Sequence, residues 1–170
     1  MQTKKLCIMG LIVALTCVAT MCIHIPIPAT NGYINVGDSI ILISAVLLGG
    51  AFGAPYIAVA GGLGSALADL LLGYTNYVPV TFLVKGLEGL FVTLIALKGG
   101  KFFSFRNIAA AVLGVLWMVL GYFICESIMY GIAAAAGSVI SNIIQAVGSL
   151  VIFSVLGFAL YKANIQKYIE

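Results

Sequence analysis

The sequence predicts an all-α membrane protein with six transmembrane helices. Hydrophobic residues make up 63% of the 170 positions and charged residues 8%, and the mean hydropathy is +1.21. A soluble domain is roughly 45–50% apolar and about 25% charged, so this composition is typical of an integral membrane protein. The length predicts one membrane domain over residues 1–170, with no room for a separate soluble catalytic domain.

Polar residues, prolines and glycines divide the chain into six apolar segments. A span needs about 20 apolar residues, or roughly 17–25 when it is tilted. The predicted helices are Lys5–Ile23, a shorter Asp38–Leu48, Pro55–Leu72, Pro79–Leu97, Asn107–Ala133 and Ser138–Tyr161. The predicted loops are 24–37, 49–55, 73–78, 98–106 and 134–137. The first segment has no clear small-x-small cleavage site, so we interpret it as a retained helix and not as a signal peptide.

The basic residues predict the orientation of these helices. All but Lys85 fall on one side of the six-helix arrangement: Lys4, Lys5, Lys98, Lys101, Arg106, Lys162 and Lys167. Cytoplasmic loops of membrane proteins carry an excess of Lys and Arg. We therefore expect both termini and the loop between helices 4 and 5 in the cytoplasm. The loops around Asn31, Tyr74 and Gly137 are expected outside.

The charges that fall inside the spans are the main functional signal. Asp69, Lys85, Glu88 and Glu126 lie in apolar segments, where a charge costs at least ~2.5–3.5 kcal/mol even on a lenient insertion scale. In the six-helix arrangement they all fall in the half of the membrane nearer the outside, and the inner half is nearly bare. Polarity on one side only favours a pocket open to the outside over a pore or a continuous proton relay.

The candidate pocket residues come from helices 3 to 6 and from the first outer loop. They are Glu126, Asn142, Gln145, Tyr122, Tyr130, Lys85, Glu88, Asp69, Asn31, Tyr33 and Asn35. Structural alternatives stay open for several of them. Lys85 and Glu88 have the spacing of a buried ion pair within one helix, and Asp69 has the position of a brace for a neighbouring loop. Asp38 has the position of an N-cap for helix 2. The tyrosines of the outer loops suit either interfacial anchors or lids over the pocket: Tyr33, Tyr74 and Tyr77.

Several classes of chemistry lack their required residues. The Gly100-Lys101 pair has no glycine at the phosphate-loop spacing and is followed by Phe102, so the chain cannot hydrolyse ATP by itself. The single histidine, His24, and four cysteines without paired spacing offer no metal site, disulfide framework or catalytic dyad. The scattered basic residues form no patch for nucleic acid. We therefore expect no enzyme activity, no metal and no cofactor.

Two blocks of sequence resemble a known family. "GGLGSALADLLLGY" in helix 3 and "YVPVTFLVKGLEGLF" at the start of helix 4 resemble the substrate-binding S component of energy-coupling factor (ECF) vitamin transporters, and the likeness covers about residues 5–160. It implies a riboflavin-transporter-like bundle in a prokaryotic cell membrane that binds a vitamin near the outer surface. It also implies two kinds of partner, a transmembrane T component, contacted through Gly10 and Ala14, and two ATPases. The Lys-Gly-Leu run recurs in members with different substrates, which implies a structural role for Lys85.

Among members of that family, the chain looks most like those for pyridoxine or hydroxymethylpyrimidine, followed by riboflavin. If Lys85, Asp69, Glu88 and Glu126 all ionise, their charges sum to −2, which disfavours an anionic ligand such as pantothenate. A riboflavin-type S component, a membrane scaffold without transport activity and a stand-alone carrier stay open as alternatives. We expect Glu126, Asn142 and Gln145 to bond the ligand.

Overall fold

The computed structural model describes residues 2–96 and 101–168, and a bundle of helices accounts for most of them. The helices are α1 Gln2–Cys22, α2 Gly37–Phe52, α3 Ala54–Leu72, α4 Val78–Ile95, α5 Phe105–Tyr130 and α6 Ile132–Lys162, followed by a short 3-10 helix at Ile165–Tyr168. Two strands, β1 Ile25–Ile27 and β2 Gly32–Ile34, form an antiparallel hairpin between α1 and α2. Leu97 and Lys98, predicted to end helix 4 and to begin a basic loop, lie outside the described residues.

The predicted all-α membrane bundle is confirmed. Five of the helices are long and apolar enough to cross a membrane, and α2 is a shorter apolar helix. Every residue of α2 from Ile41 to Leu47 is buried, and α2 packs against each of the other helices. A helix that is apolar on all sides is typical of such a central position.

Glycines allow α3 to pack closely against its two main neighbours, α1 and α4. A Cβ atom at Gly64 would lie 2.6 Å from the carbonyl oxygen of Val13 on α1. A Cβ atom at Gly62 would lie 2.7 Å from the carbonyl oxygen of Phe82 on α4. Membrane helices associate through such close backbone contacts, since lipid gives them little hydrophobic reason to associate. The small-residue face of α3 is therefore used for internal packing.

Two loops differ from the sequence prediction. The segment predicted as an irregular polar loop contains the hairpin, with Asn31 in its turn at a φ of 52°. The turn predicted at 49–55 is reduced to Gly53, because α2 continues beyond Leu48 to Phe52. At Gly53 the φ is 90°, which glycine adopts without steric cost.

The predicted loop around Gly137 is wrong. Gly137 lies within α6, and the connection from α5 to α6 is made by Gly131 alone, at a φ of 88°. The alanines after it are good helix formers, so α6 begins at Ile132. Helix 5 accordingly ends at Tyr130 and not at Ala133.

The six α-helices in the described residues run alternately in opposite directions through the bundle, so the hairpin and the basic residues are at opposite ends. The hairpin lies at the same end as Gly131 and the loop between α3 and α4. The start of α1, the end of α6 and the loop before α5 lie at the other end, which carries Lys101, Arg106 and Lys162. The polar cavity described next is at the hairpin end.

Candidate functional site

A small, partly enclosed polar cavity lies between the helices at the hairpin end. Most of the predicted pocket residues line it: Tyr33, Asn35, Asp69, Lys85, Tyr122, Glu126, Asn142 and Gln145. Residues that were not among the candidates line it as well: Thr20, Ile27, Gly32, Ser65, Tyr77 and Thr81. Thr81 and Tyr77 precede Lys85 at intervals of four residues, so helical spacing was a signal that pointed to them.

Three candidates lie away from the cavity walls. Asn31 is exposed in the hairpin turn, and Tyr130 is half-buried with its ring 6.2 Å from that of Tyr77. Glu88 is completely buried beside the cavity, deeper in the bundle. The structure gives these three no contact with the space that a ligand would occupy.

Lys85 is the centre of a buried charge network. Its ammonium group, in a residue only 1% exposed, bonds to the Asp38 carboxylate on α2. The Glu88 carboxylate lies 3.9 Å away, and the Tyr122 ring centroid 5.5 Å away. The strongest partner of Lys85 therefore comes from another helix, and the alternative of an ion pair confined to α4 describes only the weaker contact.

Asp38 does not cap α2. The N-cap residue is Val36, without a side-chain capping bond, and the Asp38 carboxylate points into the network. Its second oxygen accepts a hydrogen bond from Nε2 of Gln145 at 2.7 Å. The N-cap interpretation of Asp38 is therefore wrong, and the carboxylate joins α2, α4 and α6.

Gln145 has both ends of its amide occupied. Nε2 donates to Asp38, and Oε1 accepts from the backbone N–H of Asn35 at 2.9 Å. The side chain of Asn35 in turn accepts from the N–H of Gly37 at 3.0 Å. Gln145 thus connects the charge network to the segment that follows the hairpin.

Phenols hold the two remaining carboxylates of the cavity. Tyr33 donates to Oδ1 of Asp69 at 2.5 Å, and the Tyr77 hydroxyl lies 2.7 Å from the carbonyl oxygen of Thr30 and 3.1 Å from Oε1 of Glu126. The Ser138 hydroxyl donates to the other oxygen of Glu126. Burial raises the pKa of Tyr33 and of Tyr77, and the charge of the adjacent carboxylate raises each pKa further. Both phenols therefore stay protonated and act as donors.

An aromatic cluster fastens the hairpin over the cavity. His24, Tyr33 and Tyr74 pack with ring centroids 4.7 to 5.6 Å apart, and Nε2 of His24 lies 2.9 Å from the Tyr74 hydroxyl. Tyr77 adds its bond to the Thr30 carbonyl in the hairpin turn. Of the two interpretations of the outer tyrosines, this geometry favours a lid.

Within residues 2–96 and 101–168, some buried polar atoms of the cavity residues make no hydrogen bond of standard geometry. They are Oγ1 of Thr20, Oγ of Ser65, Oδ2 of Asp69 and Nδ2 of Asn142. The Thr81 hydroxyl interacts with the Asp69 carboxylate and lies 3.0 Å from the Tyr122 phenol, from which it can accept a hydrogen bond. Buried polar atoms in folded proteins are nearly always paired, so unpaired ones around a cavity point to a polar ligand.

Gly10 and Ala14 lie on an outward face of α1. Both are exposed, and a Cβ atom at Gly10 would meet nothing within 4 Å. The neighbouring Leu11 and Leu15 are also exposed. In the part of the chain that the structure describes, this face has no partner helix.

No group of three or more His, Cys, Asp and Glu side chains suited to a metal ion occurs in residues 2–96 and 101–168. The cavity therefore offers phenols, carboxylates, amides, hydroxyls and one ammonium group. These groups can orient a small polar ring by hydrogen bonds and by contact with the tyrosine rings.

Comparison with known proteins identifies relatives along most of the chain. The family model of the ECF-type riboflavin transporter S component matches residues 1–162. The chain is 41% identical over 145 residues to a protein of Pyrococcus woesei described as an uncharacterized protein in the gap 3′ region, covering 85% of this chain and 93% of that one. It is 32% identical over 153 residues to the thiamine precursor transporter HmpT of Lactococcus lactis subsp. cremoris, covering 90% of this chain and 85% of that one.

Proposed function

Since this chain belongs to the family of ECF-type riboflavin transporter S components, we propose that it captures a vitamin precursor similar to hydroxymethylpyrimidine or pyridoxine. Membership makes it a multi-pass subunit of the cell membrane and a transporter component, not an enzyme. It also implies a vitamin substrate and partners of the ECF T-component and ATPase kinds. We further propose one membrane domain over residues 1–170, because the described helices share a single core.

The partly enclosed polar cavity is the observation that carries the proposal. Its walls carry phenols, carboxylates, amides and hydroxyls, and a few such convergent polar groups are what orients a small ligand in a pocket. The relative HmpT, a thiamine precursor transporter, supports a vitamin precursor as the ligand.

The charge of the cavity region supports a neutral or weakly basic ligand. Asp38 joins Asp69, Glu88 and Glu126 as a buried carboxylate, and Lys85 is the one buried basic side chain in the described residues. If all five groups ionise, the sum is −3, one unit more negative than the sequence predicted, because Asp38 was counted there as a cap. An anionic ligand would enter against this charge.

A membrane scaffold without a ligand is the alternative of another class. A scaffold would be expected to pair its buried polar atoms with one another. In the part of the chain that the structure describes, Oδ2 of Asp69 and Nδ2 of Asn142 lie in residues that line a cavity and lack standard hydrogen bonds. This observation favours a binding subunit.

A thermal-shift titration of the detergent-purified chain tests the proposal. We expect hydroxymethylpyrimidine or pyridoxine to raise the unfolding temperature, since a ligand at 100 times its Kd adds ~2.7 kcal/mol of stability. Pantothenate, as an anion, serves as the negative control. If riboflavin alone raised the unfolding temperature, riboflavin would be the substrate in place of the proposed one. If hydroxymethylpyrimidine, pyridoxine and riboflavin all left the unfolding temperature unchanged, the binding function would be refuted.

A further inference from the structure

Two buried polar atoms face the cavity from different helices. Asp69 on α3 is 3% exposed, and Asn142 on α6 is 4% exposed. Oδ1 of Asp69 accepts the bond from Tyr33, but among the described residues its Oδ2 has no hydrogen-bond partner in standard geometry, and neither has Nδ2 of Asn142. One of these atoms is an acceptor and the other a donor.

The other strongly polar side chains of the cavity already have partners. Lys85 is bonded to Asp38, and Gln145 uses both ends of its amide. Glu126 accepts from Ser138 and contacts the Tyr77 phenol. A ligand that bonded these groups would have to displace an internal bond, whereas a bond to Nδ2 of Asn142 displaces none and a bond to Oδ2 of Asp69 competes only with the Thr81 hydroxyl.

Oδ2 of Asp69 and Nδ2 of Asn142 belong to separate parts of the bundle. The main packing partners of α3 are α4 and α1, and those of α6 are α5 and α2. The cavity lies between α3 and α6, with the rings of Tyr77 and Tyr122 on its walls. A ligand that satisfies both atoms therefore bridges the space between these helices.

We propose that Asp69 and Asn142 determine ligand specificity by forming hydrogen bonds with a donor group and an acceptor group on the same flat ring. The ligand presents an N–H or O–H donor to Oδ2 of Asp69 and an acceptor to Nδ2 of Asn142. An aminopyrimidine carries both kinds of group, since its exocyclic amine donates and its ring nitrogens accept. This inference rests on the proposed function and assigns the selection to one residue pair, leaving Gln145, Lys85 and Glu88 to hold the site together.

Binding measurements on the full chain in lipid nanodiscs test the residue pair. The probes are hydroxymethylpyrimidine, its desamino analogue with hydrogen in place of the exocyclic amine, pyridoxine and riboflavin. We expect Asp69→Asn and Asn142→Leu each to weaken the probe that binds by at least about tenfold, the usual range for one hydrogen bond to a charged or strongly polar group. Ser127→Ala, whose hydroxyl bonds to its own helix at the Phe123 carbonyl, is expected to bind as the unmodified chain does.

The ratio of affinities for the aminopyrimidine and its desamino analogue shows whether Asp69 bonds the amine directly or only supports the structure of the site. On the unmodified chain we expect the amine to improve affinity at least about tenfold. Asp69→Asn should bring the ratio close to one, and Asn142→Leu should weaken both probes while keeping the ratio. Tyr33→Phe removes the bond to Oδ1 but leaves the carboxylate, so it should keep the ratio too. Because the ratio is taken within each variant, partial loss of folded protein does not change it.

The outcomes distinguish this inference from the proposed function. If probes bind but Asp69→Asn and Asn142→Leu bind as well as Ser127→Ala, the residue pair does not read the ligand, and the proposed function stands. An amine preference that survives in Asp69→Asn would likewise overturn the role of Asp69. If the unmodified chain binds none of the probes, the proposed function fails and this inference fails with it.

Discussion

Replacement of Lys85 by methionine tests the buried charge network most directly. Lys85, Asp38 and Glu88 are at most 1% exposed, so the substitution removes the cation and leaves two carboxylates in an apolar core. Breaking a buried ion pair by removing one partner costs about 3–5 kcal/mol, because the remaining charge is uncompensated. We expect Lys85→Met to lower the free energy of unfolding by that amount, with Asp38 as the carboxylate most affected.

Unfolding of the purified protein with increasing denaturing detergent, followed by tryptophan fluorescence, measures the loss. Trp117 reports on this region, since its indole donates to the carbonyl oxygen of Val84, next to Lys85. Lys101→Met is the matched control, because Lys101 is exposed at the opposite end, and we expect no change there. The double variant Lys85→Met with Asp38→Asn should recover part of the loss, since it removes the stranded charge. Unchanged stability of Lys85→Met, or a double variant less stable than the single one, would refute the network.

Three further predictions follow from other contacts. Gln145→Ala should lower both thermal stability and ligand affinity, because it breaks the bonds to Asp38 and to the Asn35 N–H; loss of affinity with unchanged stability would instead indicate direct ligand contact. Gly10→Leu with Ala14→Leu should abolish uptake by cells that supply the T component and ATPases but preserve ligand binding. If uptake and ligand binding were lost together, this face of α1 would pack internally. A cysteine at Asn31 should react with an impermeant thiol reagent on intact cells and one at Ser104 should not, in a chain lacking its native cysteines; labelling at Ser104 alone would reverse the proposed orientation.

The sequence predicted the helices well because a long apolar run carries its own signal. The hairpin was missed because its strands have three residues each, one of them with Pro26 at its centre, and a prolyl residue weakens any strand prediction. The turn at Gly131 was missed because four alanines, residues 133–136, extend across the predicted end of helix 5 at Ala133. Only the backbone conformation, with its positive φ, distinguishes Gly131 from Gly137.

The candidate site was predicted in outline but not in its pairings. Helical spacing placed Lys85, Glu126, Asn142 and Gln145 at similar depths, and all of them line the cavity. Spacing along one helix, however, favours partners on the same helix, so it suggested Glu88 for Lys85. The bond from Lys85 to Asp38 joins helices distant in the sequence, and the choice between Asp38 and Glu88 depends on packing that no local pattern encodes.

The fastened hairpin has a kinetic consequence. A ligand can reach the cavity through this end only after the contacts of Tyr33 with Asp69, Tyr77 with Thr30 and His24 with Tyr74 have opened. Because binding then requires a conformational change, the association rate constant is lower than it would be for a site that is always open. Dissociation requires the same opening, so the residence time of a bound ligand is at least the time that the hairpin takes to open. Loosening the hairpin would therefore speed both capture and escape before it changed the equilibrium affinity.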